Sequence, residues 1–522
     1  MDNVRNIDMK TLARLFGVNA VSAPAPEMSA RKAMRTAALA LAVASSGLLL
    51  SACGDDARDA HAGARGGGVN GEIVGPATAS AAGADLTQQG QNVFRYWTFG
   101  DEQQWTDALK MNTVIESAVD PATALKVGLK VDMDALPPAV VNGVVAGSIP
   151  LNDPQTTLAL IQLNAVVGIK GTVTTGGDGK LHLDRVGITC ALCHSTVDNA
   201  GHAANPNIPQ GIGHRMDGWP NRDLNPGAII ALSPAVAGSA NAAIYASWGP
   251  GKYDPRFNID GKVDPAPVIP PAFGLNDIHS IIFTGDGSEL AYWNRYVGVT
   301  QMGGQGVFAD PRLPDPLKNA GMPINRDQRG TGADCGASIA LAAGSAAGGQ
   351  NGTTITVAAN NIVGSDNKVD CVSNYLPALQ AYQLSIAAPA MSILSNNAGL
   401  QDFAAAHGLV TSFDATAAQR GETLFNGKAG CAACHNGTEF TDANATLHGA
   451  DASASADTGY VQRSASKMWR TSPLRGLWTH PPYFHDGSAA TLADVVSRYD
   501  SKLNLGLTSA EQSDLTEYLR SL

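Results

Sequence analysis

The chain is poor in charged and aromatic side chains. Of its 522 residues, 16% are charged and 6% are aromatic, whereas glycine alone contributes 57 residues. The formal net charge of -11 leaves no basic excess to neutralise a phosphate backbone, so nucleic acid is excluded as a predicted partner. Scarce charge together with abundant Gly, Ala, Ser, Asn and Pro favours a loop-rich protein that works outside the cytoplasm.

The apolar run near the N-terminus is too short to cross a bilayer as a helix. It covers residues 37–50 and follows the basic residues Arg31, Lys32 and Arg35. A basic segment before a short apolar run is typical of an export signal, which the mature protein loses. The sequence therefore predicts export from the cytoplasm.

The end of this run resembles the lipobox of bacterial lipoproteins. It reads Leu50-Ser51-Ala52-Cys53, and in lipoproteins the signal is cut before the cysteine, whose thiol then carries lipid. An ordinary export signal with a coincidental cysteine is the alternative. Residues 54–84 hold too little apolar surface to bury a core. We therefore predict a lipoprotein-type signal over 1–53, a disordered tether over 54–84, and a lipid anchor at Cys53 in the periplasm or at the outer membrane and cell surface.

Cysteines are also few, and four of the seven fall in two C-x-x-C-H motifs. We name these the first attachment motif, Cys190/Cys193/His194, and the second attachment motif, Cys431/Cys434/His435. Two thiols at this spacing add to the vinyl groups of haem, and the adjacent histidine then becomes the proximal iron ligand. A thioredoxin-type redox pair and half of a zinc site are the alternatives, but neither explains two complete copies in an exported chain. The sequence predicts two covalently bound haem c groups.

Two further cysteines, Cys335 and Cys371, remain once Cys53 and the attachment motifs are set aside. In an oxidising compartment a disulfide between them is the simplest outcome, and free thiols are the alternative. The disulfide would pin the Gly- and Ala-rich segment 336–370.

The last hundred residues have the pattern of a small helical haem domain. Residues 416–427 are helix-like and contain Gly421 and Phe425. The run from Thr508 to Glu511 is a capping box, and apolar residues follow it at helical spacing, namely Leu515, Tyr518, Leu519 and Leu522. This arrangement resembles cytochromes c, in which the first and last helices cross at a small glycine and an aromatic residue.

The first half contains a fainter copy of the same pattern. Gly90 and Phe94 repeat the spacing of Gly421 and Phe425. Residues 285–288 lead to Tyr296 much as residues 486–488 lead to Tyr499. The predicted fold is therefore mainly α, with two cytochrome c-like helical haem domains and long loop-rich insertions. The predicted segments are a first haem domain over 85–300, a loop-rich connector over 301–410, and a second haem domain over 411–522.

A family resemblance follows the second attachment motif. Residues 470–475 read Arg-Thr-Ser-Pro-Leu-Arg and residues 482–488 read Pro-Tyr-Phe-His-Asp-Gly-Ser. These stretches resemble the bacterial di-haem cytochrome c peroxidase and MauG superfamily, although Ser472 is an extra residue before the proline. The resemblance covers about residues 416–522. It implies an oxidoreductase in which one open haem meets hydrogen peroxide or dioxygen, and the other exchanges electrons with a periplasmic donor or acceptor protein.

The same resemblance assigns Tyr499 to the iron of the second haem. In the peroxidases a methionine fourteen residues after the P-Y-F-H histidine is the sixth ligand, and the MauG-type proteins have a tyrosine there. Counting from His485 gives Tyr499. Packing of Tyr499 on the last helix is the alternative. His485 is predicted as a catalytic pocket residue, with direct ligation of the iron as its alternative.

The sixth ligand of the first haem stays open in the sequence. Candidates are His202, His214, His279 and Met302. If none binds, the iron is five-coordinate, and Trp293 with Tyr292 and Phe308 would form an apolar wall beside it. Such a site is similar to that of the di-haem rubber oxygenases, which act on a hydrophobic polymer with dioxygen. A third hypothesis is a plain electron-transfer lipoprotein with both irons six-coordinate.

The resemblance suggests roles for four other residues. Trp219 is a candidate electron relay between the haems, with simple burial as the alternative. Arg470 and Arg475 are expected to pair with haem propionates, and surface salt bridges are the competing explanation. The family often holds a calcium ion beside the P-Y-F-H segment, where His480 lies, so Ca²⁺ is a further candidate cofactor.

Overall fold

Helices make up most of the regular structure. The computed structural model describes residues 81–287, 289–313, 326–335 and 366–522, together with the short strands at 346–348, 354–356 and 362–363. The predicted signal, Cys53 and the tether up to residue 80 lie outside the described residues. The α-helices are Ala81–Tyr96, Met111–Ala118, Pro121–Lys126, Pro138–Val145, Pro154–Gln162, Ala191–His194, Ala200–Ala204, Pro226–Ala231, Ala240–Ser247, Phe257–Asp260, Leu290–Tyr296, Leu376–Ser385, Ala398–Ala406, Ala415–Asn426, Gly459–Gln462, Leu492–Leu503 and Ser509–Ser521.

Strands in the described residues form two-stranded ladders. The longest is the antiparallel pair Ile169–Thr175 and Leu181–Ile188, and its second strand leads directly into Cys190. The others pair Val131–Asp132 with Ile212–Gly213, Ser195–Val197 with Arg215–Asp217, Ala346–Gly348 with Thr354–Thr356, and Ile362–Val363 with Val369–Asp370. The ladder before Cys190 carries one side of the apolar core around the first attachment motif.

The second helix pair, Ala415–Asn426 with Ser509–Ser521, crosses at a glycine as predicted. A Cβ added at Gly421 would lie 2.1 Å from the carbonyl oxygen of Asp514, so only glycine permits this approach. Phe425 and Tyr518 meet edge to face, with ring centroids 5.2 Å apart. Thr508 and Glu511 form the predicted capping box of the last helix.

The first helix pair, Ala81–Tyr96 with Leu376–Ser385, repeats this crossing. A Cβ at Gly90 would lie 1.9 Å from the carbonyl oxygen of Ala378. Phe94 and Tyr382 stand 5.5 Å apart, again edge to face. The partner helix lies inside the segment predicted as a connector, about 280 residues along the chain from the helix that it packs on.

A second repeated feature lies before a helix in each half. Ile281 pairs with Gly287 just before Leu290–Tyr296, and Tyr483 pairs with Ala489 just before Leu492–Leu503. In the sequence, each short hairpin comes after an attachment motif and directly before its helix. The two halves therefore share a helix crossing and a hairpin–helix unit.

The structure joins Cys335 to Cys371 in a disulfide, the pairing expected from the cysteine count. Their Cα atoms are 5.6 Å apart, and 36 positions separate them in the sequence. Among the described residues, no helix is both long enough and apolar enough to cross a membrane.

Candidate haem sites

The first attachment motif lies in a helical turn, Ala191–His194, at the end of the long strand. Cys190 and Cys193 are both free thiols. His194 Nδ1 donates to the carbonyl oxygen of Pro270 at 3.1 Å, so Nε2 is left to bind iron. Burial lowers the pKa of His194 to about 4, which keeps the imidazole neutral, as a metal ligand must be.

An apolar cavity of about 240 Å³ opens on this motif. Cys190, Cys193 and His194 line it. Aliphatic side chains from helices and strands within residues 111–188 also line it. A polar group, the guanidinium of Arg470, also lines the cavity. A haem has an apolar macrocycle and an edge that carries two carboxylates, so an apolar chamber with a cation in its wall matches its polarity.

Arg470 supplies the most specific evidence of fit. Its Nη1 donates to the carbonyl oxygen of Ser280 at 2.9 Å, but its Nε is buried without a hydrogen-bond partner. Burial lowers the pKa of Arg470 to about 10. Because an unpaired cation in an apolar wall is unfavourable, the site calls for an anion, and a haem propionate is one. The residues at the first attachment motif therefore fit a covalent haem c.

The histidines proposed as sixth ligands lie elsewhere. His202 bonds Asp402 at 2.7 Å, His214 lies 3.1 Å from Asp198, and His279 lies 3.0 Å from Glu289. Among the described residues that line the cavity, His194 is the only histidine. These carboxylate pairs hold the three histidines in other parts of the molecule, so the structure does not bring them to the first attachment motif.

Met302 and Trp293 do line the cavity. Trp293 stacks on Tyr296 with ring centroids 4.5 Å apart. Tyr292 and Phe308, which were expected beside Trp293, are buried against each other 5.8 Å apart and do not line the cavity. The phenol of Tyr292 instead donates to Asp310. Trp293 is therefore the member of the predicted aromatic wall that faces this space.

The second attachment motif follows helix Ala415–Asn426 through a tight turn. Cys431 and Cys434 are free thiols. His435 Nδ1 donates to the carbonyl oxygen of Phe440 at 3.0 Å, which again leaves Nε2 for iron. Burial lowers the pKa of His435, so its ring is neutral. Because both motifs orient their histidine in the same way, the second also fits a covalent haem c.

Tyr499 lies close to the second attachment motif. Its ring is 5.9 Å from Phe484, on helix Leu492–Leu503. Burial raises its pKa, a backbone hydrogen bond with Ala454 opposes this, and the nearby thiols Cys431 and Cys434 raise it further. Tyr499 therefore lies near the second attachment motif, and its role as an iron ligand stays a prediction.

His485 is buried in an aromatic cage. Its Nε2 lies 2.7 Å from a carboxylate oxygen of Asp457, and its ring lies 4.6 Å from Trp469 and 5.2 Å from Tyr460. Tyr460 lines the first cavity, whereas His485 does not. His485 is thus held against a residue of the cavity wall, and its position gives it no direct contact with that space.

Trp219 lies between the two halves of the chain. It follows Gly218, whose N–H donates to the carbonyl oxygen of His194 at 2.8 Å. Its ring meets Trp478 edge to face at 5.6 Å, and Trp478 lies between Arg475 and the P-Y-F-H segment in sequence. The indole pair therefore connects the first attachment motif to the sequence that follows the second.

Arg475 and His480 lie on the side of the second motif. Arg475 lies over the ring of Phe440, 4.8 Å from its centroid, and approaches Glu439 at 3.8 Å. Burial and the nearby Arg222 lower the pKa of His480 to about 3. Among the described residues, the one grouping of His, Cys, Asp and Glu atoms close enough to hold a metal ion is Cys434, Asp442 and His448. This grouping includes a thiol that haem attachment would use, and its residues lie outside 482–488. It therefore gives no support for calcium at the P-Y-F-H segment, which stays a prediction.

No family model matches the chain. Curated relatives do match parts of it. The chain is 34% identical over 122 residues to the methylamine utilization protein MauG of Methylorubrum extorquens, across 20% of this chain and 34% of that protein. It is 31% identical over 149 residues to the cytochrome-c peroxidase IdrP1 of Denitromonas iodatirespirans, across 20% of this chain and 40% of that protein. The matched part of the chain is thus similar to proteins named MauG and cytochrome-c peroxidase.

A third relative is similar to this chain over a comparable length. The cytochrome-c peroxidase IdrP2 of a Pseudomonas species is 30% identical over 169 residues, across 25% of this chain and 45% of that protein. The matches thus span less than half the length of each of these relatives. They cover at most a quarter of this chain.

Two side chains at these sites are not among the predicted site residues. Tyr460 lines the first cavity and stacks on His485. Arg222 has two buried nitrogens without hydrogen-bond partners, beside the P-Y-F-H segment. Neither stands in a recognisable motif, since each is brought to its site by contacts between distant parts of the chain. The Gly-x-x-x-Phe and C-x-x-C-H patterns therefore do not predict that Tyr460 and Arg222 lie at these sites.

Proposed function

We propose that the chain is an exported di-haem oxidoreductase of the peroxidase and MauG type. The haem at the first attachment motif would keep an open iron for hydrogen peroxide or dioxygen, and the haem at the second motif would pass electrons. The main support is that His194 is the only histidine among the described residues that line the cavity at the first motif. Met302 also lines this cavity and is the remaining candidate for the sixth position. Haem c, when bound, supplies an iron that exchanges electrons and, where its sixth position is free, binds a small oxidant.

The residues of the first site have separable tasks in this proposal. His194 would hold the iron through Nε2, since its Nδ1 is committed to Pro270. Arg470 would neutralise a propionate. Trp293 and the aliphatic walls exclude water, which keeps the chamber apolar. His485, paired with Asp457 behind Tyr460, is proposed as a positioning residue that holds Tyr460 in the cavity wall.

The second site is built for electron transfer. His435 and Tyr499 are the proposed iron ligands, and a phenolic oxygen stabilises ferric iron where methionine would raise the potential. Trp219 and Trp478, in edge-to-face contact, are the proposed relay between the sites. A periplasmic donor or acceptor protein would exchange electrons at this haem. The repeated crossings at Gly90 and Gly421 support two cytochrome c-like haem domains with insertions.

The peroxide response of the Soret band tests the proposed function. One equivalent of hydrogen peroxide is added to the ferric and to the half-reduced holoprotein. We expect a fast shift of the Soret band in at least one state, because an open iron lies in an accessible cavity. Cyanide added first should suppress the shift by filling the open position. A Soret band that stays unchanged in both states would contradict the peroxidase and MauG proposal and favour a six-coordinate electron carrier.

A second candidate function follows from the walls of the same cavity. Helix Met111–Ala118, inside the insertion of the first half, contributes Met111, Val114 and Ile115 to the lining. Leu232 also lines the cavity and is 52% exposed, which gives the chamber an apolar mouth. These features favour an oxygenase that acts on a hydrophobic polymer. Oxygen uptake that depends on added polyisoprene, without peroxide, would select this candidate over the peroxidase.

The location of the protein is part of the proposal. The signal pattern over 1–53 and the oxidising environment implied by the Cys335–Cys371 disulfide support a periplasmic or outer-surface protein. We propose that lipid at Cys53 anchors it to the membrane. A Cys53→Ala variant is expected in the soluble fraction after fractionation of cells that express it, with wild type in the membrane fraction. Retention of the variant on membranes would contradict the anchor.

A further inference from the structure

Buried arginines in this protein normally have carboxylate partners. Arg256 bonds Asp286 at 2.5 Å, Arg215 bonds Asp132 at 2.5 Å, and Arg463 bonds Asp254 at 2.9 Å. In each pair both side chains are at most 4% exposed. Pairing of this kind is what makes a buried guanidinium tolerable, because the carboxylate replaces the lost hydration.

Arg222 departs from this rule. Its Nη2 donates to the carbonyl oxygen of His480 at 2.9 Å, but Nε and Nη1 are buried without hydrogen-bond partners. Burial lowers the pKa of Arg222 to about 10, and the phenol of Tyr483 only partly opposes this. No carboxylate among the described residues forms an ion pair with Arg222. Nε and Nη1 lie on different edges of the guanidinium, and each is therefore left to donate to an anion that is not a protein side chain.

The position of Arg222 indicates which site this anion belongs to. Arg222 comes from the first half of the chain, next to Asn221, whose N–H donates to the carbonyl oxygen of Cys193 at 2.9 Å. Its side chain, however, donates to the carbonyl oxygen of His480, three residues before Tyr483, and Tyr483 belongs to the apolar cluster that also includes Phe425 and Cys431. Arg222 thus reaches from the first half into the second.

Arg470 makes the reverse connection. It belongs to the sequence after the second attachment motif, yet it lines the cavity at the first. Each half of the chain therefore contributes one buried guanidinium without a carboxylate partner to the other half's site. Salt bridges at the protein surface do not explain the positions of Arg222 and Arg470, since their unpaired nitrogens are buried.

We propose that Arg222 binds a propionate of the haem at the second attachment motif through Nε or Nη1, and so couples this haem to the half of the chain that carries the first. The inference rests on the proposed attachment of a haem to Cys431 and Cys434. Because reduction adds an electron to the haem, a buried cation beside its propionate favours the reduced form and raises the midpoint potential.

The test is a spectroelectrochemical titration of the holoprotein. All variants are first shown to carry two haems per chain by pyridine haemochrome. Arg222→Gln is expected to lower the midpoint potential of the second haem by about 59 mV, a tenfold change in its reduction equilibrium. Arg222→Lys keeps the charge without the planar guanidinium and should recover most of the wild-type value. It also serves as the readout if Arg222→Gln does not fold.

Arg420→Gln is the matched control. Arg420 lies on the helix of the second site but forms an exposed ion pair with Asp514 at 2.6 Å, so its replacement should leave the potential unchanged. Unchanged potentials in both Arg222 variants would overturn the inference. A wild-type potential that follows acetate concentration at constant ionic strength would also overturn it, by showing a freely exchanging anion instead of a propionate. A wild-type haem count other than two would refute the proposed function itself.

Discussion

The Cys190→Ala/Cys193→Ala variant is expected to carry one covalent haem per chain where wild type carries two. Both thioether bonds at the first attachment motif depend on these thiols, and the second motif, Cys431 to His435, is built on a separate helix pair. Pyridine haemochrome in alkaline solution gives the count, and haem staining on a denaturing gel excludes haem that is held without a covalent bond. The peroxide response of the Soret band should be lost together with the first haem.

The mirrored variant, Cys431→Ala/Cys434→Ala, is the control for this experiment. It should also carry one haem per chain, but its Soret band should still respond to peroxide, because the cavity at His194 is intact. A peroxide response that survives in the first variant and disappears in the second would reverse the assignment of the two sites. Two covalent haems in either variant would contradict the attachment chemistry.

The Tyr499→Phe variant is expected to change the second haem alone. Loss of an oxygen ligand removes a group that stabilises ferric iron, so the midpoint potential of this haem should rise. We expect a rise of about 59 mV or more, since a tenfold change in the reduction equilibrium corresponds to that value for one electron. Its low-spin ferric spectrum should give way to a high-spin one, because phenylalanine offers no ligand atom. The spectrum and potential of the first haem should stay as in wild type.

Tyr518→Phe is the matched control for the second site. Tyr518 packs on Phe425 at the helix crossing, 5.2 Å between ring centroids, so its replacement also removes one phenolic hydroxyl from the same domain. It should leave both haem potentials unchanged. If Tyr499→Phe behaves like Tyr518→Phe, then Tyr499 is a packing residue and the ligand must be sought elsewhere.

The local features of the second half could be predicted from the sequence because they are close together along the chain. The helix with Gly421 and Phe425, the attachment motif and the capped last helix all fall within about a hundred residues. Their spacing is set by helix geometry, which a periodic pattern reports directly. The capping box at Thr508 and Glu511 and the aromatic contact at Tyr518 therefore appear in the structure as predicted.

The corresponding features of the first half were harder to place. Gly90 and Phe94 were identified by repetition, but their partner helix, Leu376–Ser385, lies beyond long insertions and has no distinctive spacing. A contact across so many residues depends on tertiary packing, which local patterns do not encode. The arginines illustrate the same limit, since Arg470 was expected at a propionate but nothing in its motif indicated that it would line the first cavity.

The aromatic and histidine candidates show why residue type alone is a weak guide. Trp293 does line the cavity, whereas Tyr292 turns its phenol to Asp310. His202, His214 and His279 each stand beside a carboxylate away from the cavity. A histidine in a loop is attractive as an iron ligand until its hydrogen-bond partners are known, and those partners are distant in sequence.

Quantitative electron paramagnetic resonance of the fully ferric holoprotein counts the high-spin and low-spin irons per chain. We predict one high-spin haem per chain, from the proposed open iron at His194, and one low-spin haem per chain, from the iron that His435 and Tyr499 are proposed to bind. The high-spin signal should disappear in Cys190→Ala/Cys193→Ala and persist in Cys431→Ala/Cys434→Ala. Two low-spin haems in the wild-type protein would contradict an open iron and identify the chain as an electron carrier.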